Sequence, residues 1–233
     1  MFHVIKHGLA RELSASAVMW LAHHGYWDGE GDTRNLPDRL ERAYARYRLW
    51  CTVEGKTTSL KRFSIANFYA TKGRFPILGG KGSDTTLVLM FVQWFLRLQF
   101  QGDVQANRNV LMAMLQSAEG FLTYMGICHS HDMWLPPLCA IVAMQQGLRA
   151  LRGYAFCARA CMNMATPKRL FGMRPKFDSL VHCVFEFRRV LRLCHKHILN
   201  PCIWNYEANE DWIGRASRIS RRVANRQCML RTI

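Results

Sequence analysis

Two short clusters share the thiols and imidazoles that zinc prefers: Cys128-His129-Ser130-His131-Asp132 and Cys194-His195-Lys196-His197. Brought together from different helix ends, they would supply enough ligands for a tetrahedral site. Their spacing matches no Cys/His finger, and ligands this crowded along the chain cannot all reach one ion. Both clusters also fall at expected helix C-termini, where His and Lys complement the helix dipole without a metal. Zinc is therefore not expected. Cys128, His129, His131, Cys194, His195 and His197 are the residues such a site would have to use.

Gly79-Gly80-Lys81-Gly82-Ser83 has the glycine content of a phosphate-binding loop. A Walker loop needs Gly-Lys-Ser/Thr after a spaced glycine frame and a buried strand, and here Lys81 is followed by Gly82. A helix linker is the expected role. Carboxylates are scarce, 16 against 32 Lys and Arg. Those not expected in caps or ion pairs are Asp28, Asp132, Asp178, Glu207, Glu210 and Asp211. A metal-dependent hydrolase would have few ligands to draw on. Cys157 and Cys161 lie at i and i+4, the spacing of a buried helix stripe.

The formal charge of +16 concentrates polyanions at the surface, nucleic acid foremost. The richest basic stretch is C-terminal: Lys168, Arg169, Arg174, Lys176, Arg188, Arg189 and Arg192. Further on, Arg215, Arg218, Arg221 and Arg222 form a stripe at three- and four-residue steps. Lys176, Arg188, Arg189, Arg192 and this second stripe are the expected phosphate contacts. Trp204, Tyr206 and Trp212 have the chemistry to stack bases.

The run Arg174-Pro175-Lys176-Phe177-Asp178-Ser-Leu-Val-His182, the pair Asn200-Pro201, and Tyr206-Glu-Ala-Asn-Glu210-Asp211-Trp-Ile-Gly214-Arg215 resemble one known pattern. It is the C-terminal end of transposon-encoded proteins related to DDE transposases, and the likeness covers about residues 174–222. Asp178 stands where that pattern prefers His. The resemblance implies that Glu210 or Asp211 occupies the last acidic position of a metal triad. There it would help hold Mg²⁺ for attack on a phosphodiester. The two earlier aspartates of such a triad sit on an RNase H-like sheet, for which this chain has no strand pattern. The resemblance thus implies a non-catalytic remnant with Glu210 and Asp211 as vestigial positions, and no cofactor unless Mg²⁺ still binds.

Helices must position all of these residues. Apolar residues recur at three- and four-residue steps from Leu9 to Trp27 (Leu13, Ala17, Trp20, Leu21), which predicts a helix with one buried face. Others are predicted from Leu36-Pro37-Asp38 to Gly55, over Ser64 to Thr71, and from Ser83 or Asp84 through Leu98. Asp103 is expected to cap a helix ending at Met125. Leu138 to Met164 follows, with Gly147 and Gly153 as soft points, then Lys176 to His197, and Glu210 to Arg226 capped by Asn209. Sustained period-2 alternation is missing, so at most short strands are expected near Phe2 to Ile5 or Arg74 to Leu78. The expected fold is mainly α, seven or eight packed helices with little or no sheet. It divides into 1–80 and 81–233 or forms one domain over 1–233, any boundary falling in 79–82 or 165–174.

Half of the chain is apolar, 12% aromatic and 21% charged, which excludes a disordered tail, a collagen-like chain and an acidic activation segment. Nine cysteines without a spaced framework argue against a small disulfide scaffold. With no apolar run after Met1, they predict reduced thiols in an intracellular setting, nuclear or cytoplasmic. The longest apolar stretch, Leu87 to Phe100, is interrupted by Gln93, Arg97 and Gln99, so no membrane span is expected. The expected function is nucleic-acid contact without catalysis. An all-α interaction or scaffold module is the alternative, and the apolar content leaves room for a partner domain or protein.

Overall fold

The computed structural model describes residues 8–70, 73–102, 107–164, 168–193 and 196–204. Among them are six α-helices: α1 (Ala10–His23), α2 (Leu36–Val53), α3 (Gly82–Gln99), α4 (Arg108–His129), α5 (Pro137–Met162) and α6 (Pro175–Arg192). Two short strands, β1 (Trp134–Leu135) and β2 (Ile198–Leu199), pair antiparallel, and a 3₁₀ turn follows at Pro201–Trp204. The fold is mainly α, as the periodicity predicts, with six helices among the described residues rather than the seven or eight expected.

Local signals account for several boundaries. Asn35 caps α2 by accepting the Asp38 N–H at 2.9 Å, with Pro37 in the first turn where its missing N–H costs nothing. α3 starts at Gly82 with Lys81 as its N-cap, just ahead of the cap expected at Ser83 or Asp84; Asp84, three residues in, accepts the Lys81 N–H at 3.2 Å. The stretch expected as a helix from Ser64 is a single turn instead. Its hydrogen bonds run back to Ser64, Ile65 and Ala66, and Tyr69 closes it with a φ of 45°, a left-handed conformation that helices do not continue through. Residues 74–78 form no strand, although the Ile77 N–H reaches Phe68 O at 2.7 Å. The strands are Trp134–Leu135 and Ile198–Leu199. Accordingly α6 ends at Arg192 rather than His197. The expected strand at Phe2 to Ile5, the Asp103 cap and the helix from Glu210 to Arg226 lie outside the described residues.

α1 is the interior helix. Rather than one buried face, nearly its whole circumference is buried, Ser14 and Ser16 included, because Ala and Ser dominate it and let neighbours approach from every side. α2, α3 and α4 pack against it. The segment 168–174 docks on it too: the Phe171 N–H donates to Ser16 Oγ at 2.9 Å, and Arg174 Nε lies 3.3 Å from the buried Glu12 carboxylate. Tyr154 on α5 donates to Gly172 O at 2.9 Å, which completes that seam.

α4 and α5 form the most intimate pair. Gly153, expected as a soft point, is a contact point, and so is Gly120: a Cβ on Gly153 would lie 2.5 Å from Ala113 O, and one on Gly120 2.6 Å from Gln146 O. Ser117 Oγ donates to Ala150 O at 2.9 Å between them. Gly147 plays the same part toward α6, meeting Val184. Of the described helices only α4 is long and apolar enough to cross a membrane by composition, and just over half of that apolar stretch is buried within the fold.

His23, at the end of α1, gives this core an acid limit. Burial, then Lys168, His24 and Arg39, depress its pKa from 6.5 to about 4. In the unfolded chain it takes a proton near 6.5, so between those values the unfolded state binds more protons. Stability is therefore full above pH 6.5 and declines as pH falls toward 4. His23→Gln is expected to flatten that part of a Tm-versus-pH curve, and an unchanged slope would show that another group governs it.

Candidate nucleic-acid interface

The outer face of α6 brings together much of the basic block. Arg188, Arg189 and Arg192 are exposed, and with His182, Phe185 and Leu193 they line an open trough of about 640 Å³. Phe185 is 49% exposed. Glu186 enters the same trough and holds Arg189 through two hydrogen bonds, at 2.9 and 2.6 Å. That bond keeps the Glu186 carboxyl below its usual range and raises Arg189. Both side chains are exposed, so their attraction is readily exchanged for a phosphate. Lys176 lies in the first turn, half-buried and two turns or more from this group. Arg215, Arg218, Arg221, Arg222, Glu210 and Asp211 all lie outside the described residues, as do Cys194 and His195.

A further basic stripe, on α5, emerges only in the structure. On the outer face of α5, Leu138, Val142, Gln145, Arg149, Arg152, Phe156 and Arg159 are all exposed at alternating steps of four and three. Arg149 and Arg97 share the Glu119 carboxylate, each at 2.8 Å, leaving one net positive charge there. Arg152 and Arg159 flank Phe156, which is 44% exposed. The available signal was the complement of the buried stripe Ala143, Gly147, Ala150, Tyr154, Cys157 and Cys161. Its arginines are spread among apolar residues, so they form no conspicuous charge run.

The Cys/His clusters meet only in part. Pairing of β1 with β2 brings the end of α4 beside His197, whose ring packs edge-on to Trp134 at 6.0 Å. His129 Nδ1 donates to Met125 O at 2.7 Å and His131 Nδ1 to Ile127 O at 2.9 Å, so both imidazoles cap their own helix. Cys128 is buried. Among the described residues no three His, Cys, Asp or Glu side chains are arranged to hold a metal.

Asp28 corrects the list of uncommitted carboxylates. It accepts from Arg39 at 2.6 Å and Arg42 at 2.7 Å, pinning the loop after α1 to α2, and those hydrogen bonds lower its pKa. Asp178 lies 3.3 Å from His182. The glycine-rich turn resolves similarly. Asp84 is buried at the N-terminus of α3 and accepts from Ser59 N at 2.8 Å, Thr58 Oγ1 at 2.9 Å and the Lys81 N–H. Burial alone would raise its pKa, yet these donors keep it low. A carboxylate already fills the place a phosphate would take. No family model, curated protein or solved structure matches the chain.

Proposed function

We propose that this is a basic helical protein that contacts nucleic acid without catalysing a reaction itself. By the likeness of residues 174–222, we read it as a remnant of a mobile-element protein. The observation that carries the reading is the exposed outer face of α6, where Arg188, Arg189 and Arg192 line one trough with the exposed ring of Phe185. The α5 stripe adds Arg152 and Arg159 around Phe156. Arginine grips phosphate, and an exposed ring between arginines suits base stacking.

The test is a titration of the full chain against fluorescent duplex and single-stranded oligonucleotides of random sequence, with Mg²⁺, at low and physiological salt. Binding without cleavage is expected, falling steeply with salt. The triple variant Arg188→Ala, Arg189→Ala, Arg192→Ala should weaken it about uniformly across sequences. It should also lower the slope of log K against log salt by about 2 to 3. Loss of all binding even at low salt would overturn the reading.

One observation favours a second reading, a protein-interaction module. Trp134 and Leu199 are cross-strand neighbours on the outer face of the β1–β2 ribbon, and both are exposed along with Met133 and Leu138. Exposed apolar clusters of this kind mark contact surfaces. It is the reading that stands if nucleic acid does not bind.

A further inference from the structure

Cys128 and Cys202 are far apart along the chain and adjacent in the fold. Cys128 lies in the last turn of α4, 1% exposed, and Cys202 is half-buried in the 3₁₀ turn after β2. Two independent ties hold them. The β1–β2 ribbon sets Trp134 against Leu199, and Asn200 bridges the two backbones. Its Nδ2 donates to Cys128 O at 2.8 Å, while its Oδ1 accepts the Cys202 N–H at 3.0 Å. Cys202 is the neighbour that most strongly keeps the proton on the Cys128 thiol, in keeping with that adjacency.

We propose that Cys128 and Cys202 form a reversible dithiol/disulfide pair, oxidised by a low-molecular-weight disulfide of the glutathione type. Cys202, the more accessible thiol, loses its proton and attacks one sulfur of the glutathione disulfide. The departing glutathione thiolate takes up that proton. Cys128 then gives up its own proton and attacks Sγ of Cys202, expelling the second glutathione. Two protein thiols are oxidised by two electrons, and one small disulfide is reduced to two thiols.

The order follows from burial. Contact with Cys202 and removal from water push the Cys128 thiol far above its ordinary pKa. Cys128 is therefore a poor nucleophile toward reagents in solution and reacts only with a sulfur already beside it. Cys183, on α6, also faces Cys128 around Tyr124, but the Asn200 bridge ties Cys128 to Cys202 and not to it. Closing the bond would staple the ribbon, and the chain entering the basic C-terminal stretch, to the end of α4.

The experiment equilibrates the full chain with glutathione buffers of graded reduced-to-oxidised ratio. It then maps disulfides by mass spectrometry of non-reduced peptides and records Tm. A 128–202 linked peptide is expected, reversed by dithiothreitol. Its closed loop should raise Tm by several degrees, up to about 10 °C. In Cys202→Ser, Cys128 should stay unmodified by glutathione and Tm should not respond to the buffer. Linkage of Cys128 to any other cysteine overturns the proposal. So does absence of a 128–202 peptide in fully oxidised buffer, or a Tm unchanged by closure.

Discussion

Gly153→Ala is expected to destabilise the protein by about 2 kcal/mol or more, while the same substitution at Gly126 stabilises it by about 0.5–1 kcal/mol. Both glycines are inside long helices, where alanine by itself is favoured over glycine by nearly 1 kcal/mol. The difference is what the new methyl group meets. At Gly126 nothing lies within 4 Å. At Gly153 the methyl would sit 2.5 Å from Ala113 O and 3.1 Å from Ser117 N, both backbone atoms of α4. Backbone cannot rotate aside, so α4 and α5 must separate, and overpacking of this kind costs about 1–3 kcal/mol or more. Urea denaturation is the measurement, read as opposite shifts in midpoint at constant slope. A Gly153→Ala midpoint equal to wild type would mean that the two helices are not so closely packed.

Replacing Asn200 should remove about 2–3 kcal/mol. The residue is 1% exposed, and its Nδ2 shares its two hydrogens among three carbonyls: Cys128 at 2.8 Å, His131 at 2.9 Å and Asp132 at 2.8 Å. These acceptors gather where α4 ends, the negative end of its dipole, so a donor is what the site requires. Asn200→Ala leaves them, and the Cys202 N–H, without that partner. Asn200→Asp keeps the shape but aims a carboxylate at three carbonyl oxygens. It should be the worse of the two at pH 7 and recover partly as the carboxylate protonates in acid. Thermal melts of both variants at two pH values test this. Exchange of the Asn200 amide, which donates to Met133 O at 2.8 Å, reports whether the ribbon has opened. If Asn200→Asp melts like wild type, Asn200 is not the cap described.

Asn200 also shows what sequence reading could and could not reach. Asn200-Pro201 reads as a turn, because both residues favour one locally. That the amide caps a helix ending at His129, 71 positions earlier, depends on where β2 lies, and two-residue strands leave no periodicity to detect. Asp28 reads as uncommitted for the same reason: its arginine partners are 11 and 14 residues away, across a loop whose path the sequence does not state. Within the candidate interface, Arg188, Arg189 and Arg192 were legible because they cluster in sequence. Arg152 and Arg159 were not, since only the packing of α5 tells which of its faces is left to water.

What the sequence determined by itself is the helical class, the starts of α2 and α3, the Pro-led starts of α5 and α6, and the positive charge. Each rests on interactions within a few residues, where capping, proline geometry and a 3.6-residue period act whatever the rest of the chain does. Tertiary structure alone decided that α1 is buried on all sides, that Gly120 and Gly153 are contact points, that Asp84 fills the glycine-rich turn, and that Cys128 meets Cys202. Those outcomes are set by which distant surfaces come together. The free energy that selects them is shared among residues scattered along the chain.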